Sequence, residues 1–315
     1  MQASHTGYIF PGQGSQKTGM LSELAGEYPG VKATFDEASQ VLGYDLWDLV
    51  QHGASEELAK THIQQPAIVT ASIAIWRLWQ EQGGQSPVIA AGHSLGEYSA
   101  LTAAGALSFV DAVSLVQKRG QYMQTAVPLG EGGMAAIVGL DNEKILKACE
   151  EARQGEEVAA VNFNSPGQVV ISGHTDAVNR ASALCKEAGA KRALPLPVSA
   201  PFHSILMKPA AEKFAADLDA VTLNPPEFPV IQNFGLASSS DPAVIRDNLV
   251  SQIYNPVPWV STINRFAEAG ITTVIEMGPG KVLNGLNKRI NPDMTAASVN
   301  DPASLQEALA LVASA

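Results

Sequence analysis

Four short apolar runs constrain this chain most: GYIF before PGQGSQ, PVIAA before GHSLG, FPVIQN before a polar loop (GLASSSDP, 235–242), and TTVIEM before GPGKVL. Each is short, lacks polar alternation, and passes through a loop into a helical pattern. Uninterrupted apolar strands are buried on both faces, and the strand-loop-helix order points to a mainly parallel sheet covered by helices. Ligands in such folds bind beyond the carboxyl ends of the strands, so the loops after these runs are the first place to seek a site.

One stretch breaks the pattern. After the punctuation PLGEGG, Pro128–Gly133, the run MAAIVGL (134–140) reads as a strand and DNEKILKACEEARQ (141–154) as an amphipathic helix. VAAVNFN (158–164) and QVVISG then read as strands around SPG, followed by a helix from about Thr175 to Ala188 and a strand KRALPLPV. Strand-helix-strand-strand-helix-strand is the split ferredoxin-like unit. The expected architecture is therefore α/β: a large α/β-hydrolase-like domain with a mainly parallel sheet over 1–127 and 198–315, and a small inserted ferredoxin-like domain over 128–197. A cleft between the two is the natural binding site.

Composition excludes several functions. Twenty Lys and Arg against 31 Asp and Glu give a formal charge of -11, which repels a phosphate backbone, so nucleic acid is not expected as a partner. Cys149 and Cys185 are too few for a disulfide framework and are not spaced as a metal site, which suits a reducing, cytoplasmic setting without a bound metal. The N-terminal MQASHTGYIFPGQ lacks a basic region followed by a long apolar run, and no membrane span is expected.

Within GHSLGEYSA, Ser94 lies where an apolar strand gives way to the small-residue segment LGEYSALTAAGAL. Strand, sharp turn and helix form a nucleophile elbow, in which the following N–H can stabilise an oxyanion. The competing reading is a serine that caps the helix. A serine nucleophile needs a base. His5 falls in a terminus expected to fray, His52, His62 and His174 read as surface or capping residues, and His93 should leave the turn in another direction than Ser94. His203, in the proline-bearing loop PVSAPFHS at the return from the inserted unit, is placed to face the cleft and serve as general base.

Arg119 lies in a helix that Ser108 and Asp111 open with capping-box-like spacing. Leu115, Val116, Tyr122 and Met123 lie three or four positions away, so the arginine occupies the apolar stripe. A buried guanidinium needs an anionic partner, either a substrate carboxylate or an internal Asp or Glu. PGQGSQ lacks both the Lys-Ser/Thr ending of a phosphate loop and the third glycine of a dinucleotide fingerprint. It reads either as a plain turn or as a loop exposing the Gln13 N–H to the cleft.

With PGQGSQ, GHSLGEYSAL, QKRGQYM, NFNSPGQVVISG, PFHS, NPVPW and EMGPGKVL present in this order, the sequence resembles the malonyl-CoA:acyl carrier protein transacylases of bacterial fatty-acid synthesis. These are related to the acyltransferase domains of fatty-acid and polyketide synthases. The resemblance covers nearly the whole chain. It implies that Ser94 carries the malonyl group as an ester, with His203 as base and the backbone carbonyl of Gln252 orienting the histidine in place of a carboxylate. It further implies oxyanion-hole N–H groups from Gln13 and Leu95, a carboxylate clamp at Arg119, and Phe202 and Met123 as substrate-binding residues. Relatives that accept methylmalonyl groups tend to carry Gln after the serine and Ser before the histidine. Leu95 and Phe202 stand there in this sequence, which favours the unbranched malonyl group.

The implied partners are malonyl-CoA and acyl carrier protein, with no bound cofactor and a monomeric enzyme. Because the carrier is acidic, docking would need a local basic patch, such as Lys288 with Arg289 or Lys191 with Arg192. The rival readings are a serine esterase or thioesterase, a non-catalytic carrier-binding module, and malonyl loading in a polyketide pathway.

Overall fold

The computed structural model describes residues 5–198 and 200–314, so Met1–Ser4, Ser199 in the PVSAPFHS loop, and Ala315 lie outside the description. The strands are β1 (Thr6–Phe10), β2 (Ile89–Gly92), β3 (Gly132–Val138), β4 (Val158–Ser165), β5 (Gln168–His174), β6 (Arg192–Pro195), β7 (Val230–Ile231), β8 (Thr273–Glu276) and β9 (Thr295–Ser298).

The apolar runs form one parallel sheet in the order β7-β2-β1-β8-β9, with β1 buried along its whole length at the centre. Gly7 pairs with Ile89 on one side and with Val274 on the other. A Cβ on Gly7 would meet the Phe266 ring at 2.6 Å, so the strand's glycine lets a covering helix sit directly on the sheet. The helix Thr61–Glu81 is buried along most of its length, which is why its sequence is apolar nearly all round.

The second sheet is antiparallel, β4-β5-β3-β6, with the helices Asn142–Ala152 and Thr175–Glu187 packed on it around their own apolar cluster. This is the strand-helix-strand-strand-helix-strand order read from the sequence. The fold is therefore α/β, a parallel sheet with helices plus a small antiparallel sheet carried as an insertion. β4 also joins the larger sheet's unit: Val257 N–H donates to Val161 at 2.7 Å, and Phe163 N–H donates to Val257 at 3.0 Å.

Several elements differ from the sequence reading. KRALPLPV is strand only over Arg192–Pro195, because Pro195 and Pro197 lack the N–H a ladder needs. FPVIQN contributes only Val230–Ile231, because the Gln232 N–H donates to the Ala237 carbonyl at 3.1 Å instead of to the sheet. The edge strand β9 lies outside the four apolar runs. His5 does not fray: its carbonyl accepts from Thr272 and Thr273, and its ring lies 3.0 Å from the Gly270 carbonyl.

Candidate active site

Ser94 stands between β2 and the helix Gly96–Ala103 with φ 51°, in the left-handed region. That conformation costs a serine about 1–3 kcal/mol and persists only where its surroundings over-determine it. Here they do. A Cβ on Gly92 would lie 1.9 Å from the Gly96 carbonyl carbon, and one on Gly96 would lie 2.0 Å from the Phe10 oxygen. The motif's glycines serve close approach, and the strained φ falls on the serine. Asn233 clamps the turn from outside, accepting the Ser94 N–H at 2.8 Å and donating to the Gly92 carbonyl at 2.7 Å. Contrary to the usual image of a raised nucleophile, Ser94 is only 8% exposed.

His203 reaches Ser94 from the PVSAPFHS loop. The loop is braced by Ser204, whose Oγ donates to the Pro201 carbonyl at 2.7 Å, and Pro201 in turn abuts Gly132, where a Cβ would meet its ring at 2.3 Å. His203 also takes a positive φ of 62°. Its Nε2 lies 2.7 Å from Ser94 Oγ and its Nδ1 lies 3.0 Å from the Gln252 carbonyl. A carbonyl can only accept, so Nδ1 carries the proton and Nε2 is free to receive one from the serine. Burial, and next the Arg119 charge, hold the imidazole down at about 3, so it is neutral near pH 7.

Arg119 has no solvent exposure. Its guanidinium donates to Gln65 Oε1 at 3.0 Å, Gln252 Oε1 at 2.9 Å and Ser94 Oγ at 3.1 Å, and it stands 5.2 Å over the Tyr98 ring. Its Nε has no partner among the described residues. Burial lowers its ordinary value, yet an arginine remains a cation in a protein. The internal acidic partner weighed from the sequence does not touch the guanidinium. Glu97 is separated from it by the Gln252 side chain, whose Nε2 donates to Glu97 Oε2 at 2.9 Å and to the Ser94 carbonyl at 2.9 Å. Burial pushes the Glu97 carboxyl up, against the pull of its N–H donors and of Arg119.

Ser94 and His203 face a cleft of about 640 Å³ between the two sheets' units, and Arg119, Gln252 and Glu97 lie behind them. Gln13, Ser94, Asn162, Phe202 and His203 line it. The Gln13 side chain is fixed by Gln64 and Gln65, and the backbone N–H groups of Gln13 and Leu95 meet no protein acceptor among the described residues. His93 turns away from Ser94, its Nε2 lying 2.8 Å from Asn164 Oδ1. Met123 is buried in the core cluster on the helix Phe109–Gln124 and, like Leu95, Arg119 and Gln252, is not among the residues that line the cleft. His62 is at the cleft, His52 is exposed at the end of the helix Leu46–His52, and His174 precedes a helix and accepts the Glu157 N–H.

Sequence reasoning missed Glu97, Asn233 and Gln65. Glu97 carried a signal, as the only charged residue in LGEYSALTAAGAL. The other two are ordinary polar residues whose importance arises only from where distant segments meet.

Elsewhere, Lys288 and Arg289 are exposed at the end of the helix Val282–Ile290, with Arg289 donating to Gln168 at 2.6 Å. Gln168 lies opposite Val138, and Val138 opposite Arg192, so both basic pairs gather at one end of the small sheet. Among the described residues, no group of three or more His, Cys, Asp or Glu side chains is placed to hold a metal ion, and no helix is long and apolar enough to cross a membrane.

Comparison with known proteins fits this geometry. The acyl transferase domain family matches residues 7–303. The chain belongs to that family. It is 58% identical over 302 residues to the malonyl CoA-acyl carrier protein transacylase of Salmonella typhimurium, covering 96% of this chain and 98% of the relative. An acyl carrier protein S-malonyltransferase from Vibrio cholerae superposes with a TM-score of 0.95 at 56% identity, covering 97% of this chain and all of the other. A malonyl-transacylase solved in complex with its holo type II PKS acyl-carrier protein superposes with a TM-score of 0.96 at 55% identity, covering 97% of this chain and 99% of the other.

Proposed function

We propose that this chain transfers a malonyl group from malonyl-CoA to the phosphopantetheine thiol of an acyl carrier protein through an ester on Ser94, supplying extender units for fatty-acid synthesis. One observation carries the reading: Ser94 Oγ lies between a neutral imidazole nitrogen at 2.7 Å and a buried guanidinium at 3.1 Å. The first suits a general base, and the second suits a free carboxylate on the acyl group.

In the first half-reaction His203 Nε2 takes the Ser94 proton as Oγ bonds to the thioester carbonyl carbon. The oxyanion is stabilised by the N–H groups of Gln13 and Leu95, a role supported by their meeting no protein acceptor among the described residues. Collapse breaks the C–S bond, and the sulfur leaves with the proton from His203. The carrier thiol then runs the same steps in reverse. The Gln252 carbonyl, 3.0 Å from Nδ1, supports its role in holding the imidazole without a carboxylate. Phe202 at the cleft supports preference for an unbranched acyl group.

In this reading the large domain spans 1–127 and 198–315 and the small one 128–197, with the carrier docked on the basic end of the small sheet near Lys288, Arg289, Lys191 and Arg192. The enzyme acts as a cytoplasmic monomer. Intact mass after mixing with malonyl-CoA, and then with a carrier protein, tests the reading. A malonyl adduct on Ser94 that resists water and moves to the carrier is expected. An adduct lost to water alone would make the chain a thioesterase, and the absence of any adduct would leave a binding module.

A further inference from the structure

Among the described residues, each group that accepts a hydrogen bond from the buried Arg119 guanidinium is uncharged: the Gln65 and Gln252 side-chain oxygens and Ser94 Oγ. A cation without solvent needs a compensating charge. The carboxylate of Glu97, also without exposure, supplies it from one amide away, since Gln252 turns Nε2 to Glu97 and Oε1 to Arg119. Glu97 is bonded by Gln252 Nε2, Gln232 Nε2 and the Asn233 backbone N–H. All three can only donate, which is the bonding pattern of an ionised carboxylate. Charge compensation and hydrogen bonding are thus separated at this guanidinium. Its neutral contacts can yield to an incoming carboxylate, while the compensating charge stays behind Gln252.

We propose that Glu97 is a positioning residue that sets how strongly Arg119 attracts an anionic acyl group, keeping the guanidinium aimed without occupying its hydrogen-bonding fork. This rests on the malonyl reading above. Once a malonyl group is bound, two carboxylates share one guanidinium in a dry site, so Glu97 limits how tightly the acyl group is held. Glu97→Gln removes that repulsion. The neutral acetyl group gains nothing from the change.

The test is single-turnover acylation of the full-length enzyme with malonyl-CoA and with acetyl-CoA, read by intact mass. Glu97→Gln is expected to raise the malonyl-to-acetyl ratio of kcat/KM by about tenfold, mainly through a lower KM for malonyl-CoA. Glu97→Asp keeps the charge and should leave the ratio within about twofold of the parent. Equal losses for both donors, a lower ratio, or an Asp variant that shifts as far as the Gln variant overturns the proposal. If Glu97→Gln does not fold, Gln232→Leu removes one of the carboxylate's N–H donors, weakens the ionised form, and should raise the ratio by at least about twofold. An unchanged ratio there overturns it equally. A parent enzyme that forms no malonyl adduct would defeat the malonyl reading instead, so the two failures are distinct.

Discussion

Arg119 Nη2 donates to Ser94 Oγ across 3.1 Å while His203 Nε2 lies 2.7 Å from the same oxygen. One hydroxyl is therefore bonded to a fixed cation and to a neutral base, and three separate segments must hold register for this to occur.

Arg119→Ala should lower acylation by malonyl-CoA by about 100-fold or more, the loss typical of a buried charge-assisted pair, and acylation by acetyl-CoA far less. Rates for the two donors measured side by side decide it. Equal losses would mean that the arginine only supports the fold.

The imidazole must be neutral to act as base, so its depression to about 3 keeps acylation active well below the ordinary histidine range. Part of that depression comes from the Arg119 charge, which a bound malonyl carboxylate would neutralise. The acid limb of single-turnover acylation at saturating donor should accordingly lie at higher pH for malonyl-CoA than for acetyl-CoA. The reverse order would contradict the coupling. For stability the sign is fixed too. The unfolded chain protonates this histidine below about 6.5, so its contribution is present above that pH and is lost as pH falls toward about 3.

Gly96→Ala places a Cβ 2.0 Å from the Phe10 backbone oxygen, a clash that no rotamer relieves because the backbone fixes the Cβ position. A loss above about 4 kcal/mol, or no folded protein, is expected. Gly14→Ala, with φ 96° but open space around the new carbon, should cost only about 1–2 kcal/mol. Denaturant melts of the two variants make the comparison.

Reversing the charges of Lys288 and Arg289 should slow malonyl transfer to an acidic carrier by about tenfold at low ionic strength and by much less at high salt. Reversal at Lys191 and Arg192 should act in the same direction, because both pairs meet at one end of the small sheet. A loss that ignores salt would point to disrupted packing around Gln168 instead.

Much of the fold is legible in the sequence, because apolar runs and helical periodicity are local. The small sheet's order of elements follows from residues 132–195 alone. β9, a short edge strand with the partly exposed sequence TAAS, gives no such signal. The site divides in the same way. Ser94 and Arg119 are marked by a turn motif and by a charge on an apolar stripe. Asn233 and Gln65 are not marked, and for Met123 a helical stripe shows that the residue faces inward without saying whether it faces core or cleft.

By itself the sequence determined the local objects: the strands, the elbow's crowded glycines, and the helix that carries a buried guanidinium. Tertiary structure decided how they are joined. The Gln252 carbonyl faces His203, and its side chain separates Arg119 from Glu97. Hydrogen bonds and charge compensation between distant segments depend on positions to within a fraction of an ångström, and no spacing along a chain encodes those.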